Sequence, residues 1–265
     1  MRRPSLLLLI VCLSYSCFNE VIGQESPIPQ GAIPITHRSH IYIEGTVDGK
    51  KGNYVFDTGA TNLYLDTTYY AANNFSFERL FKGVLPGAGV TPQMVKVIAE
   101  NVDFYFGDHH YQTSNVPILQ LKPIIGDFAD GILGLKYFDN TVLEFNYDDK
   151  YLKVHENLNS IDLAGWTKVS LTRDGNRLYI PCEVIVDESI RIKGQYLLDF
   201  GSGGTVTITS QVAGEYDLAN QVENKVPFFT KYGGIGGRSS SQLFKAGFST
   251  GDFNFRQIDL KFCKD

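Results

Sequence analysis

Two short segments of the chain repeat one pattern, an apolar run followed by Asp-x-Gly. Residues 52–60 read GNYVFDTGA and residues 194–202 read GQYLLDFGS, so Asp57 and Asp199 occupy the same place in each copy. Two carboxyls that meet closely cannot both ionise, and such a pair shares one proton. One of them then serves as a general base toward a water, and the other as a general acid toward a carbonyl oxygen.

The residues beside the two Asp suit a close approach of two loops. Gly59 and Gly201 carry no side chain that would keep the loops apart. We expect the hydroxyl of Thr58 to form a hydrogen bond across the interface between the copies and to brace the loop. Phe200 stands at the matching position of the second copy and has no hydroxyl for this purpose.

The residues that follow each motif differ in hydrogen-bonding capacity. Ser202 offers a hydroxyl to the outer oxygen of Asp199, whereas Ala60 offers Asp57 no such partner. A hydrogen bond to a carboxylate favours its charged form. We therefore expect Asp57 to be the more readily protonated member of the pair.

Alone, Asp-x-Gly is an ordinary turn at the end of a strand, but here the duplication extends well beyond the motif. Three further pairs of segments match in the same order along the chain, which indicates two homologous lobes. The matching pairs are 44–48 with 183–187, 63–65 with 206–208, and 104–108 with 248–252.

At these residues the chain resembles the pepsin superfamily, especially the retropepsin-like aspartic peptidases of the bacterial, single-chain, two-lobed kind. Residues 57–60 (DTGA) match the retroviral form of the motif, and residues 130–135 (DGILGL) resemble the family's apolar-apolar-Gly element that closes the active-site loop. The second copy departs from the family pattern, because Phe200 stands where the family has Thr or Ser. The resemblance implies an all-β, two-lobed acid-protease β-barrel fold, an aspartic endopeptidase activity on peptide or protein substrates, and no cofactor.

Two glycine-rich segments lie at similar distances after their respective Asp, as the flaps of a two-lobed peptidase would. Residues 83–89 include Gly87 and Gly89, and residues 232–237 include Gly234 and Gly236. Glycine there lets the backbone lie against an extended peptide and pair with it as an added strand. The alternative is that both are ordinary surface loops.

The second copy is predicted to be incomplete. Aligning Gly107 with Gly251 places Asp265 opposite Leu121, before any counterpart of residues 130–135. We expect open strand edges in this lobe, which self-association would cover. A pseudo-peptidase that binds extended peptide or protein without cutting it is therefore the alternative function, and a structural β-domain of the cell envelope is a third.

The N-terminus predicts export. Residues 1–23 combine two Arg with an apolar stretch at 6–13 that is too short to span a bilayer, which is typical of a signal peptide. A rival interpretation is lipidation at Cys17, followed by anchoring as a lipoprotein. The mature chain then divides into lobes at 24–160 and 161–265, in a periplasmic or extracellular location.

Export also bears on the cysteines that remain. Cys182 and Cys263 are the only pair outside the predicted signal peptide. In an oxidising compartment they could form one disulfide that ties the end of the chain to the second lobe. The alternative is two buried thiols.

Other classes of function have little support in the sequence. The net charge is -5 and no Lys/Arg cluster is present, so no surface for nucleic acid is predicted. Residues 247–251 match the G-x-S-x-G elbow of serine hydrolases, but the repeat places Ser249 within a strand and no His follows it. His109 and His110 are predicted to point to opposite faces of a strand, which argues against a metal site.

Overall fold

A computed structural model describes residues 8–12 by their backbone, and residues 28–85, 92–230 and 239–264. These residues form a mostly β molecule with two mixed sheets, and the prediction of an all-β chain is confirmed. None of the helices in these ranges is long and apolar enough to cross a membrane. Likewise, these ranges hold no group of three or more His, Cys, Asp or Glu able to bind a metal ion.

The first sheet contains the strands of the first half of the chain. They are β1 (Leu8–Cys12), β2 (Ala32–Arg38), β3 (His40–Val47), β4 (Lys50–Asp57), β5 (Leu63–Asp66), β6 (Leu80–Leu85), β7 (Gln93–Ile98), β8 (Val102–Phe106), β9 (His109–Thr113), β10 (Val116–Leu119), β11 (Gly131–Gly134), β12 (Val142–Asn146) and β13 (Tyr151–His155). Strand β1 lies within the predicted signal peptide and pairs in parallel with β12.

The second sheet contains the later strands. They are β14 (Thr172–Asp174), β15 (Arg177–Ile185), β16 (Arg191–Leu197), β17 (Val206–Ile208), β18 (Val226–Thr230), β19 (Ser239–Thr250) and β20 (Phe253–Cys263). The described residues also form four short α-helices: α1 (Thr67–Ala72), α2 (Lys122–Ile125), α3 (Ser210–Glu215) and α4 (Leu218–Gln221).

Strand β4 runs between β3 and β11 and ends at Asp57. Val55 and Phe56 on this strand are fully buried, so the strand is covered on both faces, as its continuous apolar run predicts. Strand β11 pairs with β4 in parallel and places Gly134 opposite Asp57. A Cβ at Gly134 would lie 2.5 Å from the backbone N of Asn62, so only glycine lets β11 approach this loop.

The turns that close two hairpins confirm the internal repeat. Strand β8 runs into a turn at Gly107 with φ 55°, and β19 runs into a turn at Gly251 with φ 53°. Both residues occupy the left-handed region that glycine adopts readily. The long-range pairing repeats as well, because Leu65 pairs with Ile118 in parallel, as Ile208 does with Phe262.

The two copies differ at the strand that carries each Asp. Strand β4 has a neighbour on both sides, β3 and β11, whereas among the described residues β16 pairs only with β15. In the same ranges β17 pairs only with β20, and no strand bridges β16 and β17 as β11 bridges β4 and β5. Within the described part of the chain one edge of β16 is therefore unpaired, and Leu197 at its end is 40% exposed.

Cys182 and Cys263 are free thiols in the structure, so the alternative of a disulfide between them is wrong. Cys263 pairs with Ser241 at one end of β19, whereas Glu183, next to Cys182, pairs with Ser249 near the other end. The interval along β19 is about eight residues, which is roughly 27 Å at the rise of a strand. A disulfide requires Cα atoms within about 7 Å. Cys182 is buried and Cys263 is half-buried.

Candidate active site

Asp57 and Asp199 meet where the two sheets face each other. A Cβ placed on Gly59 would lie 3.1 Å from Cγ of Asp199 and 3.1 Å from Oδ1 of Asp57, so both carboxyls surround one point. The two side chains also share a hydrogen bond. Asp57 is half-buried and Asp199 is exposed. The structure therefore brings together the two acids that the sequence singles out.

Backbone N–H groups orient each carboxyl from its own loop. Gly59 and Ala60 donate to Oδ1 of Asp57 at 2.7 and 3.0 Å. Gly201 donates to Oδ1 of Asp199 at 2.9 Å. Hydrogen bonds from fixed backbone donors hold both carboxyls in place.

Both glycines are needed for this approach. A Cβ on Gly201 would lie 2.5 Å from Oδ2 of Asp57 and 2.6 Å from its Oδ1, which real Cβ atoms do not tolerate. At Gly59 the corresponding contact with Asp199 is 3.1 Å, which is tight but less severe. Each glycine thus packs directly against the carboxyl of the opposite loop, as expected from the sequence.

The two acids are in different environments. Burial raises the pKa of Asp57 from 3.8 to about 7, and the neighbouring charge of Asp199 and the hydrogen bond between the two carboxyls act in the same direction. The bonds from Gly59 and Ala60 oppose this rise. Asp57 is therefore the member that holds a proton near neutral pH.

The direction agrees with the sequence expectation, but the cause differs. The Ser202 hydroxyl accepts a hydrogen bond from the N–H of Gly204 at 3.3 Å. Among the described residues it forms no bond to Asp199, so the proposed contact with the outer oxygen is wrong. Burial of Asp57 accounts for the asymmetry instead.

Thr58 links the two loops as predicted. Its side chain is fully buried, its hydroxyl donates to the carbonyl of Leu198, and it accepts from the N–H of Phe200 at 2.9 Å. A hydroxyl both donates and accepts, so this one side chain satisfies a backbone acceptor and a backbone donor. Thr58 on the first loop therefore fixes the backbone on both sides of Asp199.

Phe200 holds the second loop in another way. Its ring lies 5.0 Å from Phe145 and 6.3 Å from Phe56, centroid to centroid, in the main core of the first sheet. These edge-to-face and tilted arrangements are the favourable ones for aromatic rings. The sequence interpretation treated Phe200 only as a lost hydroxyl, whereas the structure gives it an apolar anchoring contact.

The predicted flap glycines, Gly87, Gly89, Gly234 and Gly236, lie outside the described residues. The stems that lead to them are described. Strands β6 and β7 form one hairpin, and β18 and β19 form the other. On the first stem Val84 and Met94 are cross-strand partners and are 64% and 67% exposed, so this hairpin presents apolar side chains to solvent.

Sequence reasoning missed His40. Its ring approaches the second Asp loop, and its imidazole forms a hydrogen bond with the backbone of Gly201. No motif marks this residue. It lies at the start of β3, whereas Asp57 lies at the end of β4, and Asp199 follows a strand of the second sheet. Only the way the sheets face each other brings it to the site.

The serine of the G-x-S-x-G match lies in strand β19, opposite Glu183 on β15 and Asn254 on β20. This placement confirms the expectation that Ser249 is part of a strand. It does not lie on a strand-to-helix turn, which a nucleophile elbow requires.

Comparison with known proteins identifies the class of fold. Residues 43–137 match the family model described as aspartyl protease. The match contains Asp57 and β11 and ends before Asp199. It confirms the resemblance to the retropepsin-like aspartic peptidases, and the mostly β architecture agrees with an acid-protease-like fold. A comparison with curated proteins gives no match.

Proposed function

We propose that the chain is an exported aspartic endopeptidase in which Asp57 and Asp199 activate a water for attack on a peptide carbonyl. The observation that supports this most directly is the meeting of the two carboxyls around one point beside Gly59. The family match is to a class of peptidases, which implies a peptide substrate.

The roles of the two acids follow from their environments. Asp57 carries the shared proton, because its pKa is raised to about 7. It acts as the general acid toward the carbonyl oxygen of the scissile bond. Asp199, which is exposed, acts as the general base that takes a proton from the water. When the bond breaks, Asp199 gives the proton that it took from water to the leaving amine. The hydroxyl that Asp57 protonated returns its proton to Asp57 as the new carboxyl group forms.

The remaining parts of the proposal concern organisation. Residues 1–23 act as a signal peptide, and the lobes at 24–160 and 161–265 each contribute one Asp. An extended peptide lies over the pair beneath the two hairpins that contain the flap glycines. The unpaired edge of β16 offers a place for self-association, since unpaired N–H and C=O groups accept a further strand.

A cleavage assay with a peptide library tests the proposal. It should be run from about pH 3 to about pH 8, with and without pepstatin. We expect cleavage that pepstatin inhibits, and we expect Asp57→Asn and Asp199→Asn each to abolish it while circular dichroism shows an intact fold. Wild-type activity in the Asp199→Asn variant would contradict the paired mechanism.

The second candidate function is a pseudo-peptidase that binds peptide without hydrolysis. It is favoured by Phe200, which stands where a Thr or Ser hydroxyl would form hydrogen bonds to the first loop, as Thr58 does to the second. Binding of pepstatin or of library peptides to the wild-type chain, without cleavage at any pH, would support this candidate.

A further inference from the structure

His40 begins a strand of the first sheet and yet contacts the loop of the second Asp. A Cβ on Gly203 would lie 3.3 Å from Cε1 of His40 and 3.6 Å from its Nε2. The ring also forms a hydrogen bond with the backbone of Gly201. The imidazole therefore lies beside two of the three glycines that follow Asp199 in this loop, Gly201 and Gly203.

The chain makes a tight turn to place this ring. Ser39 has φ 67°, in the left-handed region that residues other than glycine seldom adopt. Arg38 and His40 on either side of it pair across the β2–β3 hairpin. A constrained turn immediately before His40 thus fixes where its side chain starts.

The Nδ1 atom of His40 is buried and has no hydrogen-bond partner among the residues that the structure describes. A buried polar atom without a partner is uncommon and calls for an explanation. A protonated ring would carry its charge beside Asp199, which provides an electrostatic partner in place of a direct bond.

The groups that face His40 act on it in opposite directions. Burial lowers the pKa of His40 most strongly, and the nearby His37 lowers it further. The charge of Asp199 and the bond to Gly201 raise it. The ring of Tyr42 lies edge-on at 6.1 Å, and the guanidinium of Arg38 lies over the ring of Phe128. The net lowering leaves His40 neutral at neutral pH and charged only in acid.

We propose that His40 is a positioning residue for Asp199. The ring of His40 holds the loop at Gly201–Gly203 against the first sheet, and its protonated form favours the ionised form of Asp199. The proposal rests on the function proposed above. In this role His40, a titratable residue of the first sheet, extends the pH range in which the carboxyl pair is active toward lower pH.

The first test is the pH dependence of kcat/KM. His40→Gln keeps an amide that can bond to the Gly201 backbone but has no charge, so the acid limb should move to higher pH by at least about 0.5 unit. His40→Phe keeps a ring but loses both the bond and the charge, so it should show the same shift and a further loss of kcat. His110→Gln is the matched control, because His110 lies 2.7 Å from Asp103 on a distant hairpin. An acid limb that stays in place in both His40 variants would overturn the proposal.

A second measurement does not need activity. Proton NMR titration of the His40 ring should give a lower pKa in the Asp199→Asn variant than in the wild type, because the stabilising charge is gone. If the wild type cleaves no peptide but this decrease is seen, the proposed function fails and the contact between His40 and Asp199 stands. If the pKa of His40 does not change, the contact itself is refuted, whatever the activity.

Discussion

Replacing Asp57 by Asn should stabilise the folded chain above neutral pH. The pKa of Asp57 is raised from 3.8 to about 7. A group whose pKa is raised on folding adds stability below its unfolded pKa, and this stability is lost as the pH rises through the folded value. The wild type should therefore become less stable between about pH 4 and about pH 7, and Asn removes this loss because it never ionises.

The magnitude follows from the two pKa values. A difference from 3.8 to about 7 corresponds to about 4 kcal/mol at full ionisation. Part of this difference arises from the neighbouring Asp199, which shares a proton with Asp57. We therefore expect the free energy of unfolding of Asp57→Asn to exceed that of the wild type by about 2–4 kcal/mol. Asn also retains an oxygen that can accept the bonds from Gly59 and Ala60, so the loop itself should not change.

Urea unfolding of the wild type and of Asp57→Asn at about pH 4, 6 and 8 measures the effect. The increase in the free energy of unfolding caused by Asp57→Asn should be near zero at the lowest pH and largest at the highest pH. Asp187→Asn is a control of opposite sign, because bonds from Ser189 and Ile190 lower the pKa of Asp187, and its contribution to stability is present at neutral pH and lost in acid. If the free energies of unfolding of the wild type and of Asp57→Asn differ by the same amount at all three pH values, the raised pKa assigned to Asp57 is refuted.

Four further predictions concern the loops and the sheets. Gly201→Ala should remove peptide hydrolysis in the cleavage assay, because a Cβ there overlaps the opposite carboxyl. Thr58→Val should cost about 1–3 kcal/mol in urea unfolding, since a partly buried N–H and a partly buried C=O lose their partner; Thr58→Ser should restore most of this. Phe200→Thr should destabilise by about 1–3 kcal/mol although it restores the family residue, because the aromatic packing is lost. Hydrogen exchange should be faster in residues 197–208 than in 55–65, since β16 has one neighbouring strand and β4 has two; equal protection would contradict this.

The sequence allowed the carboxyl pair and its loops to be predicted because the motif occurs twice in matching context. A repeat with an apolar strand before each Asp constrains both copies to one local structure, which is why Thr58, Gly59 and Gly201 occupy their expected places. The hairpin turns were predictable for the same reason, since Gly-Asp at a strand end has few alternatives.

Contacts between the copies were harder to predict. The position of His40 depends on how the sheets face each other, and the packing of Phe200 depends on the neighbouring rings of Phe56 and Phe145. A repeat alignment gives neither. The prediction of a disulfide between Cys182 and Cys263 was wrong for a related reason, because their separation depends on the register of β15 and β20 against β19.

The first sheet supplies most of what holds Asp199 in place. Strand β16 has a single neighbour among the described residues, so its own sheet gives its end little support. Thr58 bonds to the backbone on both sides of Asp199, and Phe200 packs into the core of the first sheet, where Leu178 of β15 is also buried. These contacts explain how a strand with an unpaired edge can still deliver its carboxyl to the point beside Gly59. The position of Asp199 therefore depends more on the interface between the sheets than on the strand that leads to it.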